Sequence, residues 1–284
     1  MKFAIIDIGS NSVRLMLWAD GKTLYKKLKT TRLGAGLASS GSLSEEAIAR
    51  SVSAVCDFCA EAEEFGKTFA FATAAVRSAS NGKEFCDRVK AACGLEVDVI
   101  SGEHEALLGL YGALGDSDGG ILDIGGASTE VCFRRGGRVT FSTSIDLGAV
   151  RLYDLCRDDK NKLEAIVGKS LCALDGAVPF GTLYAVGGTA STLAALKLGL
   201  KHYDAEKLQD TALSFDWSER TSDMLLRLTP QERGELSGME KGREDIIAGG
   251  AFLFSRILQK LGLTEARFSD RDNLEGYLLY RGLI

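Results

Sequence analysis

The chain has 284 residues but only two prolines, two histidines and no apolar run approaching the ~18 residues that a bilayer-spanning helix needs. Two histidines exclude a histidine-rich metal centre. The seven cysteines are an odd number with no framework spacing. Cys56 and Cys59 form a C-x-x-C pair, but both fall on one predicted helix, and no second pair completes a zinc site. Reduced thiols in a cytosolic protein are the expectation. Positive charge is also short: 34 Lys and Arg against 39 Asp and Glu leave a formal net charge of −5. That argues against general nucleic-acid binding but allows a local basic cleft for a polyanion. Met1 runs directly into a strand, so no signal peptide is expected, and the localisation expected is cytoplasmic. The length favours two domains over one.

What the chain does have is one motif twice. Asp7-Ile8-Gly9-Ser10-Asn11-Ser12 follows Phe3-Ala4-Ile5-Ile6, and Asp123-Ile124-Gly125-Gly126-Ala127-Ser128-Thr129-Glu130 follows Gly120-Ile121-Leu122. Each copy reads as a short buried strand, an Asp, a turn of glycine and hydroxyl residues, then a second strand. Glycines let backbone N–H groups approach an anion, hydroxyls add donors, and a strand-end Asp can hold a divalent cation beside phosphates. A single copy would equally fit a tight hairpin turn; the pair points to a duplicated domain with two loops facing one cleft.

The flanking pattern repeats as well. Strands are expected at 3–9, 12–19 and 22–31, then a helix from Ser44 to Phe65, a strand at 68–73, a helix at 82–93, a strand at 96–100 and a helix at 103–114. Gly115 to Gly120 is the linker candidate. Strands at 120–124, 129–135 and 138–145 follow, with helices at 149–156 and 161–174. Next come a strand at 182–186, Gly187-Gly188-Thr189 opening a helix to about Leu198, a helix at 244–261, a strand at 266–269 and a last helix at 273–282. Each half thus reads βββαβαβα, an α/β pattern, with a helical insertion near 203–240 whose elements the pattern does not resolve.

With this topology the chain resembles the actin-like ATPase superfamily, and more specifically the exopolyphosphatase and guanosine pentaphosphate phosphohydrolase (Ppx/GppA) family. Beyond the two Asp loops, the resemblance rests on Thr31-Arg32-Leu33-Gly34, Leu43-Ser44-Glu45-Glu46-Ala47, Ala72-Thr73-Ala74-Ala75-Val76-Arg77 and Ile100-Ser101-Gly102-Glu103-His104-Glu105-Ala106. It continues in Leu147-Gly148-Ala149-Val150-Arg151, Gly187-Gly188-Thr189, Gly242-Arg243-Glu244-Asp245 and Ser269-Asp270-Arg271 with Glu275-Gly276. Two positions depart from the family pattern: Ala127 stands where a third glycine is usual, and Leu107 where an arginine is common. The resemblance implies two ribonuclease H-like domains, 1–117 and 118–284, around an inter-domain cleft, with the terminal helix (about 272–284) packing back on the first domain.

It also implies the chemistry. Glu105 matches the family's catalytic glutamate, which orients or deprotonates water, and Glu130 is a second carboxylate near the same water. Asp7 and Asp123 match the metal-side carboxylates, with Mg²⁺ or Mn²⁺ as the cofactor. Phosphate contacts are assigned to Gly9, Ser10, Asn11, Ser12, Arg32, Arg77, Gly125, Gly126, Ser128, Thr129, Gly188 and Arg243. Plainer readings stand beside these. Glu103 and Glu105 suit a helix start; Arg77 suits a surface ion pair; Glu130 suits an exposed strand edge; His104 reads as a partly exposed helix-start residue. The expected substrate is inorganic polyphosphate or, alternatively, guanosine pentaphosphate. A kinase of the same fold would need an acceptor pocket and an Asp base, for which no motif is present. A non-catalytic polyphosphate or alarmone sensor is the reading of another class. Nucleic-acid and membrane partners are not expected, and a homodimer is left open.

Overall fold

The computed structural model describes residues 1–284 and contains two sheets. The first is built from β1 (Lys2–Ile8), β2 (Ser12–Ala19), β3 (Lys22–Thr30), β4 (Lys67–Ala72) and β5 (Val97–Val99) in the order β3-β2-β1-β4-β5. The second comprises β6 (Gly119–Ile124), β7 (Thr129–Arg135), β8 (Arg138–Ile145), β9 (Leu183–Val186), β10 (Ala212–Ser214) and β11 (Glu265–Phe268), in the order β10-β11-β9-β6-β7-β8. Without β10 the two orders are identical. In both sheets the first three strands form an antiparallel meander, and the later ones join in parallel. The duplication read from the Asp loops is therefore a duplication of the whole sheet. β10 is the unanticipated strand, too short at three residues to show a period, and it pairs antiparallel with the edge of β11.

The helices are α1 (Leu37–Ser40), α2 (Glu45–Ala62), α3 (Ala74–Ser78), α4 (Gly82–Cys93), α5 (Gly102–Leu114), α6 (Ala149–Cys156) and α7 (Lys160–Ser170), the last running into a 3₁₀ turn. Then come α8 (Gly187–Leu198), α9 (Ala205–Leu208), α10 (Phe215–Arg227), α11 (Pro230–Gly234), α12 (Ile247–Leu261) and α13 (Asn273–Tyr280). No helix is long and apolar enough to cross a membrane. Starts follow local chemistry. The Ser44 and Ser101 side chains accept from the N–H groups of Ala47 and His104, and Thr229 with Glu232 closes a capping box around Pro230. α3 was not anticipated; it places Arg77 on a helical turn rather than in a loop.

Two helices position the site. α5 precedes the linker, yet it packs on β6, β7 and β8 of the second sheet. α13 ends the chain and packs on the first sheet, where Leu274, Tyr277 and Leu278 join Phe3, Ile5, Met16 and Phe71 in one core cluster. The helices cross at glycines. A Cβ on Gly112 would fall 1.9 Å from the Asp272 carbonyl oxygen, and one on Gly276 1.9 Å from that of Leu108. The chain between α5 and β6 is fixed to the second sheet: Arg134 donates to the Gly115 carbonyl at 2.6 Å, and the Asp118 carboxylate accepts from the N–H of Gly137 at 3.0 Å.

Candidate active site

The two Asp loops close the first strand pair of each sheet by the same turn. Gly9 N–H donates to the Ser12 carbonyl and Gly125 N–H to the Ser128 carbonyl, each at 3.0 Å. The loops meet across the cleft: a Cβ on Gly126 would lie 2.7 Å from the Ser10 Cβ. Between them is a cavity of about 360 Å³, lined among others by Asp7, Gly9, Ser10, Asn11, Ser12, Thr73, Glu105, Asp123, Gly125, Gly126, Ser128, Gly188 and Arg243. Twelve of these are residues the sequence placed there. The Asn11 side-chain amide is buried with neither its oxygen nor its nitrogen partnered, as suits a group waiting for a ligand.

The strand register explains the electrostatics. Asp7 lies opposite Arg14 on β2, and Asp123 lies opposite Glu130 on β7, so one repeat pairs its Asp with a cation and the other with a second carboxylate. Arg14 donates from Nε to Asp7 Oδ2 at 2.9 Å and also bridges to Asp272, leaving Asp7 Oδ1 buried without a partner. Burial still holds the Asp7 carboxyl above its ordinary range, opposed by Arg14. On the other side, Asn273 Nδ2 donates to Asp123 Oδ2 at 3.1 Å. Burial, and then the charge of Glu105, push Asp123 up to about 8. Glu130 is fully buried and accepts from Ser144 Oγ at 2.6 Å. Its other oxygen has no partner, and burial, then Glu105 and Asp123, hold it well above the ordinary value. The exposed-edge reading of Glu130 is thereby corrected.

Glu105 sits in the first turn of α5 and is only 6% exposed, so it is more than a helix-start charge. Arg77 Nη1 donates to its Oε2 at 3.0 Å and to the Ile100 carbonyl at 2.9 Å. Burial raises the Glu105 carboxyl to about 7 against the pull of Arg77, with Asp7 adding to the rise. The plain reading of Arg77 was half right: it makes an ion pair, but with the candidate base. His104, by contrast, is exposed on the outer side of α5, with the Tyr280 hydroxyl 3.5 Å from its Nδ1.

Three expected phosphate contacts are not brought to the cavity wall. Arg32 is held by both oxygens of Asp245, at 2.7 and 3.0 Å, and bridges the first sheet's edge loop to the segment before α12. Thr129 is fully buried, and its hydroxyl donates to the Leu147 carbonyl at 2.6 Å. Arg77 reaches the site through Glu105 rather than as a lining side chain. Arg243 does line it, lying flat on Gly188, where a Cβ would fall 1.6 Å from its Nη2, while its Nε donates to Glu240 at 2.9 Å.

Sequence reasoning missed Arg14, Lys26, Glu240, Asp272 and Asn273, all of which line the cavity. Arg14 was findable: a hairpin that places residue 7 at its strand end sets residue 14 opposite. Asp272 and Glu275 form a capping box at the start of α13, a signature visible as Asp-x-x-Glu. Burial alone would raise Asp272, but Arg14 and Lys26 outweigh it and hold the carboxyl low.

A duplicated sheet whose two Asp loops close over a cavity containing a buried, charge-paired glutamate suits a phosphoanhydride hydrolase. The comparisons make this particular. Residues 18–282 match the Ppx/GppA phosphatase family, and the chain belongs to that family. It is 31% identical to exopolyphosphatase 2 of Mycobacterium tuberculosis, the match covering 98% of each chain. It is 36% identical to a guanosine-5'-triphosphate,3'-diphosphate pyrophosphatase of Photobacterium profundum, over 52% of this chain and 32% of that longer protein. The crystal structure of an exopolyphosphatase from Cytophaga hutchinsonii superposes with a TM-score of 0.87 at 26% identity, covering 99% of this chain and 98% of that one.

Proposed function

We propose that the chain removes the terminal phosphate of inorganic polyphosphate by hydrolysis, with Glu105 as the base that takes a proton from the attacking water. The observation that carries this reading is Glu105 itself, a carboxyl on the cavity wall, fixed by Arg77 and raised to about 7, where a general base works best near neutral pH. The N–H groups of the two turns other than those of Gly9 and Gly125, which close the turns, hold the terminal phosphoryl oxygens with Ser10, Asn11, Ser12 and Ser128, and Arg243 holds the next unit of the chain. Glu130 acts behind the wall, keeping a proton near Asp123 and Glu105 rather than touching substrate.

The carboxylates fit a divalent cation. Asp7 Oδ1 is buried and unpartnered, and Asp7, Glu105, Asp123 and Glu130 are all raised, by burial and by neighbouring carboxylates, as groups short of positive charge are. No three of them converge closely enough to hold a metal alone, which suits Mg²⁺ or Mn²⁺ bound by Asp7 and Asp123 together with phosphate and water oxygens. When bound, the ion would neutralise charge on the transferring group.

Guanosine pentaphosphate is the second reading, favoured by the charge of the wall. Each cation there already has an acidic partner: Arg14 with Asp7 and Asp272, Lys26 with Asp270 and Glu275, Lys27 with Glu61, and Arg243 with Glu240. A compact nucleotide asks less of such a wall than a long polyanion does. Phosphate release from long polyphosphate, tripolyphosphate, guanosine pentaphosphate and ATP, compared side by side with Mg²⁺ and with chelator, tests both. Turnover of guanosine pentaphosphate without polyphosphate would replace the first reading with the second, and no turnover of any of them would overturn both.

A further inference from the structure

Four of the seven cysteines gather on two adjacent helices of the first domain, away from the cavity. Cys56 and Cys59 lie on α2, Cys86 and Cys93 on α4; all four are free and half-buried. Cys59 donates to Cys93 with their sulfurs 3.6 Å apart. Cys56 precedes Cys59 by three residues, so α2 presents the two thiols from consecutive turns of one face. Cys93 influences both. A cysteine acting only as a small apolar filler needs no second thiol in contact. Here three converge where solvent reaches them.

We propose that this helix pair is a disulfide-forming site, in which a peroxide or a small disulfide oxidant joins Cys93 to Cys59, with Cys56 as the alternative partner. With hydrogen peroxide, the Cys93 thiolate attacks one oxygen; an S–O bond forms, the O–O bond breaks, and hydroxide leaves and is protonated to water. The Cys59 sulfur then attacks the sulfenic sulfur, forming S–S as the S–O bond breaks and a second water leaves. Two thiols and one peroxide become one disulfide and two waters. With glutathione disulfide, two exchange steps release two glutathione thiols instead. Closing 3.6 Å to the ~2.05 Å of a disulfide brings the two sulfurs about 1.5 Å nearer, through side-chain rotation and helix shift. Burial, then Cys93, push the Cys59 thiol up to about 12, so the bond forms slowly and builds under sustained oxidation rather than acting as a fast sensor.

The ring so closed contains β4, Thr73 and α3 with Arg77. It restrains the unfolded chain and staples two outer helices, and none of its sulfurs lines the cavity. The test oxidises the full chain at pH 8.5 with hydrogen peroxide and, separately, with glutathione disulfide. Alkylation and non-reducing peptide mass spectrometry follow. The expected result is a Cys59–Cys93 peptide two hydrogens lighter and reversible by reductant, a rise in Tm of about 5 °C, and turnover within about twofold of the reduced protein. Cys59→Ser should move the link to Cys56, and Cys93→Ala should abolish both the link and the Tm rise. Glutathione adducts or sulfinic acid at these cysteines without a cross-link in the folded protein would overturn the proposal. So would a link confined to other pairs, or an unmoved Tm in a protein shown to be linked.

Discussion

Glu105→Gln separates catalysis from stability, because the structure makes the two respond in opposite directions. The substitution keeps an acceptor for Arg77 and nearly the same volume, so the α5 turn and the Ile100 contact remain. What it removes is a base and a buried negative charge. Loss of a positioned base should lower phosphate release at least ~100-fold. The charge sets the second effect. An acid with an ordinary value of 4.5, held at about 7 by burial, binds its proton more tightly in the folded state than in the unfolded one. Its contribution to stability is complete below pH 4.5 and lost as pH rises through 7. Above that, the ionised form costs the fold up to ~3 kcal/mol, a ceiling because Asp123 and Glu130 respond to the same charge. Glutamine carries no such cost. In chelator, the variant should therefore melt about 5 °C above the parent at pH 8.5 and within about 2 °C of it at pH 5. Calorimetry at the two pH values, beside a phosphate-release assay, reads both effects. Near-normal turnover would remove Glu105 from the mechanism. A variant less stable than the parent at pH 8.5 would show that the Arg77–Glu105 ion pair outweighs the repulsion around it, and would refute the electrostatic account of the site.

Other perturbations bear on the rest of the wall. Activity should vanish in excess chelator, and Asp123→Asn should raise the Mg²⁺ concentration needed for half-maximal rate, read by metal titration; full activity with chelator would exclude a metal-assisted reaction. Arg243→Ala should weaken polyphosphate binding several-fold and flatten its dependence on salt, whereas Arg32→Ala, whose guanidinium is held by Asp245, should leave binding within about twofold; calorimetry at two ionic strengths separates them. Arg77→Met should act mainly on kcat. It removes the cation that lowers the Glu105 carboxyl, so the acid limb of the rate profile should move to higher pH. An unmoved limb would mean that another group sets it.

Much of the fold was legible where a pattern was long enough to repeat. Buried runs such as Phe3–Ile8, the glycine turns and the capped helices gave most strands and helices outside the insertion within a few residues, while three-residue β10 and five-residue α3 left no period to read, and α10 went unresolved in the insertion despite its thirteen residues. The site was legible as loops but not as pairs. Asp7, Asp123, Glu105 and Arg243 announce themselves by motif, yet what each does depends on the group opposite it, and that is set by strand register and helix crossing. Arg32 illustrates the point: its residue type suits phosphate, but its charge is already matched by an Asp more than two hundred positions away. The two repeats carry the same lesson further. They share sheet order, turn geometry and a strand-end Asp, but the residue seven positions on is Arg14 in one and Glu130 in the other. The first hairpin therefore balances its carboxylate internally, and the second concentrates unbalanced carboxylates beside Glu105. From two copies of one structural unit, a single change of sign across a strand pair yields one side that presents an ion-paired Asp and another that holds its protons near neutral pH, an asymmetry that suits the directed movement of a proton away from water.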